Sequence, residues 1–380
     1  MSIIRNNMQK NNMDFYIPFV DAIAETAKEI GVQVYFVGGC VRDAIMGKKA
    51  SDADIVPFGT DYKNFARVLS KKIKAFSIPF KDNVRLAKGD LICDVSKPRG
   101  KDIYQDLLMR DFTINNLAAA PCGDIIGDDK HIKEGLIKAV SENVFDDDPL
   151  RILRAFRFVS TLGFDIDEDT LNLIKNKQHL IKLPAAERVT EELRKTLCGA
   201  YCEKALSYLK KTNTAQIIFD ENDLDFESPL RLNQPSFPLR LALLAGKNAA
   251  KPLKLSSKEE KTVTYIAENL TVAVNLHDKS LREKRAFLWK HYSLAKELFD
   301  GAKSKFPQNT DTLAEDFKLI ETLYPQRAKA INGSVLMKAG FKPSPFFSLI
   351  IEETALKLAL GELEESQTEN YIMTAYGDKK

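Results

Sequence analysis

No run of 18 apolar residues occurs in the sequence, so no transmembrane helix is expected and no membrane association. Cysteine is sparse: five residues, at positions 40, 93, 122, 198 and 202, are scattered over 380. Cys198 and Cys202 stand four apart, but no second pair or histidine spacing completes a zinc site. Reduced thiols, and a cytoplasmic setting, are the expectation. With only four histidines, His277-Asp278 lacks the His/Asp array that a metal phosphohydrolase needs. The first thirteen residues hold two Asn-Asn pairs and no apolar core, and do not read as a signal peptide. Charge of one sign is also missing: the net charge is +3, from 56 basic and 53 acidic residues, too small at this length to indicate a nucleic-acid partner. Basic residues cluster at Lys71-Lys72-Ile73-Lys74, Lys210-Lys211 and Arg282-Glu283-Lys284-Arg285. Such runs are usually solvated helix faces unless they line one surface. No internal repeat of fixed period is present. The chain does have length enough for two or three domains and an ordinary 44% hydrophobic content.

Its most informative feature is Asp52-Ala53-Asp54, shortly after Gly38-Gly39-Cys40-Val41-Arg42-Asp43. Carboxylates two apart on a strand point to one face and can reach one metal cluster. The segment 32–37 is apolar and β-branched, as a strand should be. Gly38 and Gly39 let the backbone turn sharply and approach a phosphate with no Cβ in the way, and Arg42 follows as a fixed cation. A Gly-Gly turn, an arginine and a same-face Asp pair suit Mg²⁺-dependent phosphoryl transfer. Each part alone has a bland reading, a surface Asp-x-Asp and a simple turn; the order along the chain carries the argument.

To about residue 140 strands and helices alternate. Residues 14–30 read as an amphipathic helix, with Pro18 near its start and Gly31 as its C-terminal cap. Strands are expected at 32–37, 52–57, 84–87 and 91–95, the last two as a hairpin turning at Gly89-Asp90, with another around 114–119. From Asp148 strand signals nearly vanish. Helical periodicity covers 149–162, 168–176, 185–197 and 202–209. Residues 221–238 read as a connection, helices continue to about 365, and the tail after Glu369 reads as frayed.

The order of strand, Gly-Gly, Val-Arg-Asp, short helix and Ser51-Asp52-Ala53-Asp54-Ile55-Val56 resembles the signature of polymerase-β-like nucleotidyltransferases. More narrowly it resembles the class II tRNA nucleotidyltransferases, the CCA-adding enzymes, and their bacterial poly(A) polymerase relatives. Two further segments resemble motifs of that family: Arg110-Asp111-Phe112-Thr113-Ile114-Asn115-Asn116-Leu117-Ala118, and 147–158, which begins Asp147-Asp148-Pro149-Leu150-Arg151 and carries Arg154 and Arg157. The resemblance implies an α+β fold, a polymerase-β-like head of mixed sheet and helices followed by an all-α neck, body and tail. It implies a head over 1–140, a neck for base recognition over 141–220, and a tRNA-binding body and tail over 221–380. Glu187 to Leu193 resembles a neck motif and reads as helix-to-helix ion pairing. The likeness is strong over about 34–200 and faint beyond, where 253–259 and 331–345 resemble the body and tail.

The resemblance also implies roles. Two Mg²⁺ ions held by Asp52 and Asp54 would align a tRNA 3′-hydroxyl with the α-phosphate of CTP or ATP, releasing pyrophosphate. Asp94 falls where the family often has an acidic residue; a third carboxylate would complete the metal site and help deprotonate the hydroxyl. Gly38, Gly39, Arg42, Arg110, Asp111 and Asn115 would contact ribose and phosphate, and Arg154 and Arg157 would reach the triphosphate. Asp148 reads first as an N-cap beside Pro149. Asp148 as acceptor and Arg151 as donor also match the edge that cytosine and adenine share, an amino group beside a ring acceptor, and mismatch uracil and guanine. Departures are Met109 where the family usually has arginine, Asp147 for glutamate, Ser344 for glycine, and a short segment between Asp94 and Arg110. Members restricted to CC addition often lack a longer loop there, so CC-only addition is an alternative. Poly(A) polymerase is another, disfavoured because basic terminal extensions are absent. A non-catalytic RNA-binding module is a third, opposed by the intact Asp pair.

Overall fold

The computed structural model describes residues 17–50, 52–233, 236–290, 292–323 and 331–379. The expected signal-peptide-free N-terminus, residues 14–16 of the first helix and Ser51 lie outside these. The chain divides into two units, Met1–Ile218 and Phe219–Lys380.

The first unit opens with helix α1 (Val20–Ile30), which ends on Gly31 at φ 75°, the left-handed cap its sequence predicts. Strands β1 (Gln33–Val37) and β2 (Asp52–Phe58) flank helix α2 (Gly39–Ile45). Helix α3 (Tyr62–Ile73) is capped by Asp61, whose carboxylate accepts the Lys63 N–H at 3.2 Å. Strands β3 (Phe76–Pro79), β4 (Asn83–Lys88) and β5 (Leu91–Ser96) follow, then α4 (Ile103–Leu108) and the short strands β6 (Ala118–Ala119) and β7 (Ile125–Ile126). They form one seven-stranded sheet in the order β3-β4-β5-β2-β1-β6-β7. The β2–β5 pair is parallel and its neighbours are antiparallel, so the sheet is mixed as expected. Ala53, Ile55, Leu86, Cys93 and Val95 fill one face, with Phe65 and Leu69 of α3 buried beside them. Alternation then puts Asp52 and Asp54 of β2, Arg85 of β4 and Asp94 of β5 together on the opposite face.

Strand periodicity missed the shortest pieces. The expected strand over 114–119 is instead a 3₁₀ turn, Thr113–Asn115, followed by β6, because side-chain bonds to Asp111 hold the backbone in a turn. After α5 (Lys130–Lys133), strand β8 (Leu136–Ile137) pairs in parallel with β9 (Asp165–Ile166), the latter inside the region where strand signals nearly vanish. Helices α6 (Val144–Asp147), α7 (Arg151–Leu162), α8 (Glu168–Lys177), α9 (Ala186–Cys198), α10 (Cys202–Lys211) and α11 (Thr214–Phe219) complete the run. Helix α7 packs on α9 and α10 through a stripe that includes Ile152, Phe156 and Val159, all buried.

The second unit contains helices and no assigned strand among its described residues: α12 (Phe237–Ala245), α13 (Ser257–Val274), α14 (Leu281–Lys290), α15 (Ala295–Lys305), α16 (Thr310–Leu323), α17 (Gly333–Lys338), α18 (Phe346–Leu360) and α19 (Thr368–Tyr376). Ser256 and Glu259 cap α13 reciprocally. The tail expected to fray is helical through Tyr376, because Ile372 and Tyr376 are buried against Leu336 and Ile350. Several cations of the basic runs form ion pairs. Lys72 pairs with Glu25 and Glu29, Lys284 with Asp316, and Arg282 with Glu362. All five cysteines are free thiols, and no described helix is long and apolar enough to cross a membrane.

Candidate functional site

On β2, Ala53 and Ile55 are buried, while Asp52 is exposed and Asp54 half-buried on the other face. The parallel register sets Asp94 of β5 opposite Asp54, and the antiparallel register sets Arg85 of β4 opposite Asp94. Arg85 donates through Nε and Nη2 to the two Asp94 oxygens at 2.9 and 2.8 Å. Burial, and then the negative charge of Asp94, push the Asp54 carboxyl up to about 6; Arg110 pulls it down, Asp52 raises it again, and Arg85 lowers it least.

Positive charge is therefore wanting at this corner, and a bound divalent cation would supply it. Two carboxylates suit Mg²⁺, which commonly takes one or two and completes its octahedron with water and phosphate oxygens. Asp94 accepts from Arg85 through both oxygens, and among the described residues no group of three or more His, Cys, Asp or Glu is placed to hold a metal.

Gly38 stands between β1 and α2 at φ 71°, in the region glycine alone enters freely. A Cβ there would meet Arg110 Nη1 at 3.0 Å, so the glycine makes room for an arginine as well as for the turn. Arg42 on α2 is buried and donates to Asn115 Oδ1 at 2.8 Å and to Asp43 Oδ1 at 2.9 Å.

Behind the turn lies a polar network. Asp111, 5% exposed, accepts from the Phe112 N–H at 2.8 Å, from Asn115 Nδ2 at 3.0 Å, and from Arg154 Nε at 2.7 Å and Nη2 at 2.6 Å. Burial pushes its carboxyl up, but the Arg154 charge and these hydrogen bonds outweigh burial and hold it down at about 2. Arg110 donates to the wholly buried Asp106 at 2.8 Å, and the Arg99 N–H donates to the same carboxylate at 2.9 Å.

At the start of α7, Asp148 is extended. Its Oδ1 accepts the Leu150 N–H at 3.2 Å, its carbonyl accepts the Arg151 N–H at 3.0 Å, and its Oδ2 accepts from Arg188 at 2.9 Å. Asp148 thus ties down the turn that leads into α7, while the N-cap position itself falls on Leu150. Arg151 donates to the Met109 carbonyl at 2.9 Å. Arg157 pairs with Glu192 of α9 at 3.1 Å; with Arg188 and Asp148 this is the helix-to-helix pairing expected of segment 187–193.

One cavity of about 340 Å³ gathers most of these groups. Gly38, Gly39, Asp54, Arg110, Asp111, Asn115, Asp148, Arg151 and Arg154 all line it. Asp52, Arg42, Asp94 and Arg157 lie outside its lining, although Asp52 and Asp94 share the Asp54 sheet face. Sequence reasoning missed Lys97, Arg99, Asp106 and Arg188. The first three sit in the short segment 95–109, which carried no periodic signal and was read for its length alone. Six cationic side chains face four carboxylates around the cavity, a balance suited to a polyanion.

The family described as "Poly A polymerase head domain" matches residues 34–138. The family described as "Probable RNA and SrmB-binding site of polymerase A" matches residues 163–224. The CCA-adding enzyme of Staphylococcus aureus (strain MRSA252) is 26% identical over 386 aligned residues, covering 91% of this chain and 94% of that protein. The CC-adding tRNA nucleotidyltransferase of Geobacter sulfurreducens is 35% identical over 220, covering 54% of this chain and 50% of that protein. Among solved structures, a CCA-adding enzyme with ATP superposes with a TM-score of 0.73 at 20% identity, covering 94% of each chain. The Thermotoga maritima CCA-adding enzyme complexed with tRNA superposes at 0.70 and 21% identity, again covering 94% of each. The fold is thus that of a polymerase head with helical domains following.

Proposed function

We propose that this chain, which belongs to the family of class II tRNA nucleotidyltransferases and bacterial poly(A) polymerases, adds C and A nucleotides to tRNA 3′ ends. It would draw them from CTP and ATP, release pyrophosphate and use no nucleic-acid template. The observation that carries this reading is the common cavity. Asp54, beside Asp52 on the same strand face, lines it together with Asp148 and Arg151 at the start of α7. A reaction centre and a base-reading pair thus face one nucleotide-sized space.

Mg²⁺ held by Asp52, Asp54 and the nucleotide's phosphate oxygens would supply Lewis-acid stabilisation of the attacking and leaving oxygens. The other steps belong to protein groups. Arg110 and Arg154 bind phosphate, and each is already oriented by a buried carboxylate, Asp106 or Asp111. Asn115, whose amide makes one bond through each end, retains hydrogen-bonding capacity for ribose hydroxyls, and Asp111 orients it. Arg42 acts one step back by fixing Asn115 Oδ1, and Arg157 by tying α7 to α9. Asp94 is the candidate acceptor of the hydroxyl's proton, shared with Arg85.

Base choice would follow from hydrogen-bond sense. The Asp148 carboxylate accepts from the cytosine or adenine amino group, and Arg151 donates to the adjacent ring nitrogen. Uracil or guanine would leave mismatched groups buried, at about 1–3 kcal/mol each. Substrates of this class place the protein in the cytoplasm.

CC-only addition is the second reading. It is favoured by the six-residue connection, 97–102, between β5 and α4 and by the likeness to a CC-adding relative over the first half. The test is to incubate the protein and Mg²⁺ with tRNA lacking its 3′ end, CTP and ATP, and to sequence the products. Ends in CCA support full addition, ends in CC the restricted form, and long A tracts poly(A) polymerase. No incorporation of labelled CTP or ATP would leave a non-catalytic RNA-binding module.

A further inference from the structure

Strand β3 is the outer edge of the sheet and the least covered strand in it. Phe76 is 83% exposed, Ile78 46% and Phe80, just past its end, 50%. The register decides which way they face. Ile78 stands opposite Arg85, Arg85 opposite Asp94, and Asp94 opposite Asp54. One row along, Phe76 is opposite Ala87, Ala87 opposite Ile92, and Ile92 opposite Asp52. Cross-strand partners share a face, so two rows run from the catalytic carboxylates to the exposed apolar edge. Phe80 joins them: the Arg85 guanidinium lies 5.8 Å from its ring centroid. Ser77 and Pro79 take the other face, so the exposed large hydrophobic side chains of the strand, Phe76 and Ile78, are on the carboxylate side. Three strand spacings, about 14 Å, separate β3 from β2.

We infer that Phe76 and Phe80 form a base-stacking platform, on the open face of the catalytic sheet, for the unpaired nucleotides that precede the RNA 3′ end. The inference rests on the proposed nucleotidyl transfer, which places a 3′-hydroxyl at Asp52 and Asp54. An unpaired strand leaving that point across the sheet meets Arg85, a cation for its phosphates, and then two exposed rings. Aromatic stacking accepts every base, which suits an enzyme that must hold many tRNA ends without reading them. Backbone pairing at this edge is a poorer use of the strand, because Pro79 removes a donor from it.

The test uses full-length protein and tRNA carrying 2-aminopurine as its penultimate nucleotide. Wild type and the Phe76→Tyr/Phe80→Tyr variant should quench the probe, and the Phe76→Ala/Phe80→Ala variant should not. In steady-state assays the alanine variant should raise the KM for tRNA by about tenfold or more, with the KM for CTP within about twofold. Unchanged quenching and KM overturn the platform, as does an equal rise in both KM values. So does a change confined to self-association on a sizing column, which would make β3 a contact between copies. Wild-type protein that quenches but does not extend the RNA would sink the proposed function and leave the platform standing. Extension that is indifferent to the alanine pair would do the reverse.

Discussion

Two carboxylates that line the cavity stand in opposite electrostatic states. Asp54 is pushed up to about 6 by burial and its acidic neighbours, whereas Asp111 is held at about 2 by Arg154 and two further hydrogen-bond donors. Both sit on the wall of the same space. The Asp111 site is finished: its charge is balanced by the protein and its geometry is set before substrate arrives. The Asp54 site is balanced only when a cation comes. Preorganisation suits a binding wall, and an unsatisfied pair suits a metal site that must exchange its outer ligands with each nucleotide.

Removing the unfinished site should have the largest effect. Asp52→Ala and Asp54→Ala should each lower incorporation of labelled CTP by about 10³-fold or more, since losing one ligand costs several kcal/mol of transition-state stabilisation. Affinity for tRNA, measured by filter binding, should change little. Near-wild-type turnover in either variant would end the metal assignment.

Removing the cation from the finished site should cost folding instead. Arg154→Ala strands the Asp111 carboxylate without its countercharge and should destabilise the protein by about 3 kcal/mol. Chemical denaturation reads this directly, and Asp52→Ala is the control that should show no comparable loss. Equal stability of the two variants would erase the distinction between the two sites.

Acid sharpens the comparison further. The Asp111 pKa is depressed in the folded state, so its contribution is complete above the unfolded value of 3.8 and is lost as pH falls through about 2. Across that window wild type should lose on the order of 2 kcal/mol that an Asp111→Asn variant does not. Parallel acid-unfolding curves for the two proteins would refute the assignment.

The smallest effect concerns base choice. Arg151→Ala should narrow the preference for CTP over UTP by about tenfold, the value of one mismatched buried group, with a weaker effect on triphosphate binding. An unchanged ratio would make Arg151 only a brace on the Met109 carbonyl.

What was legible in the sequence were features with strong local causes. The β4–β5 hairpin turns at Gly89-Asp90, where alternation breaks. Helix α7 announces itself by Pro149 and a 3.6-residue stripe, and Asp148 by its place before them. What escaped was short or held by distant partners. Two-residue strands such as β8 and β9 have no period to detect. The 3₁₀ turn at Thr113–Asn115 contradicts an apolar alternation because Asp111 bonds its backbone and Asn115. Arg99 and Asp106, in a segment without a pattern, became site residues only when the chain folded over the glycine turn.

The sequence by itself determined the chemistry available: an Asp pair two apart on a strand, a Gly-Gly turn and an Asp-Arg pair three apart at a helix start. Spacing along a regular element sets which side chains share a face, so local order suffices for each. Only the tertiary structure decided how these charges are partnered. It gave Asp94 to Arg85 and Arg157 to Glu192, and it left Asp54 without a countercharge of its own. The energy of a charge depends on neighbours brought from far along the chain and on the water they exclude, and neither can be read from the spacing of residues on one strand or helix.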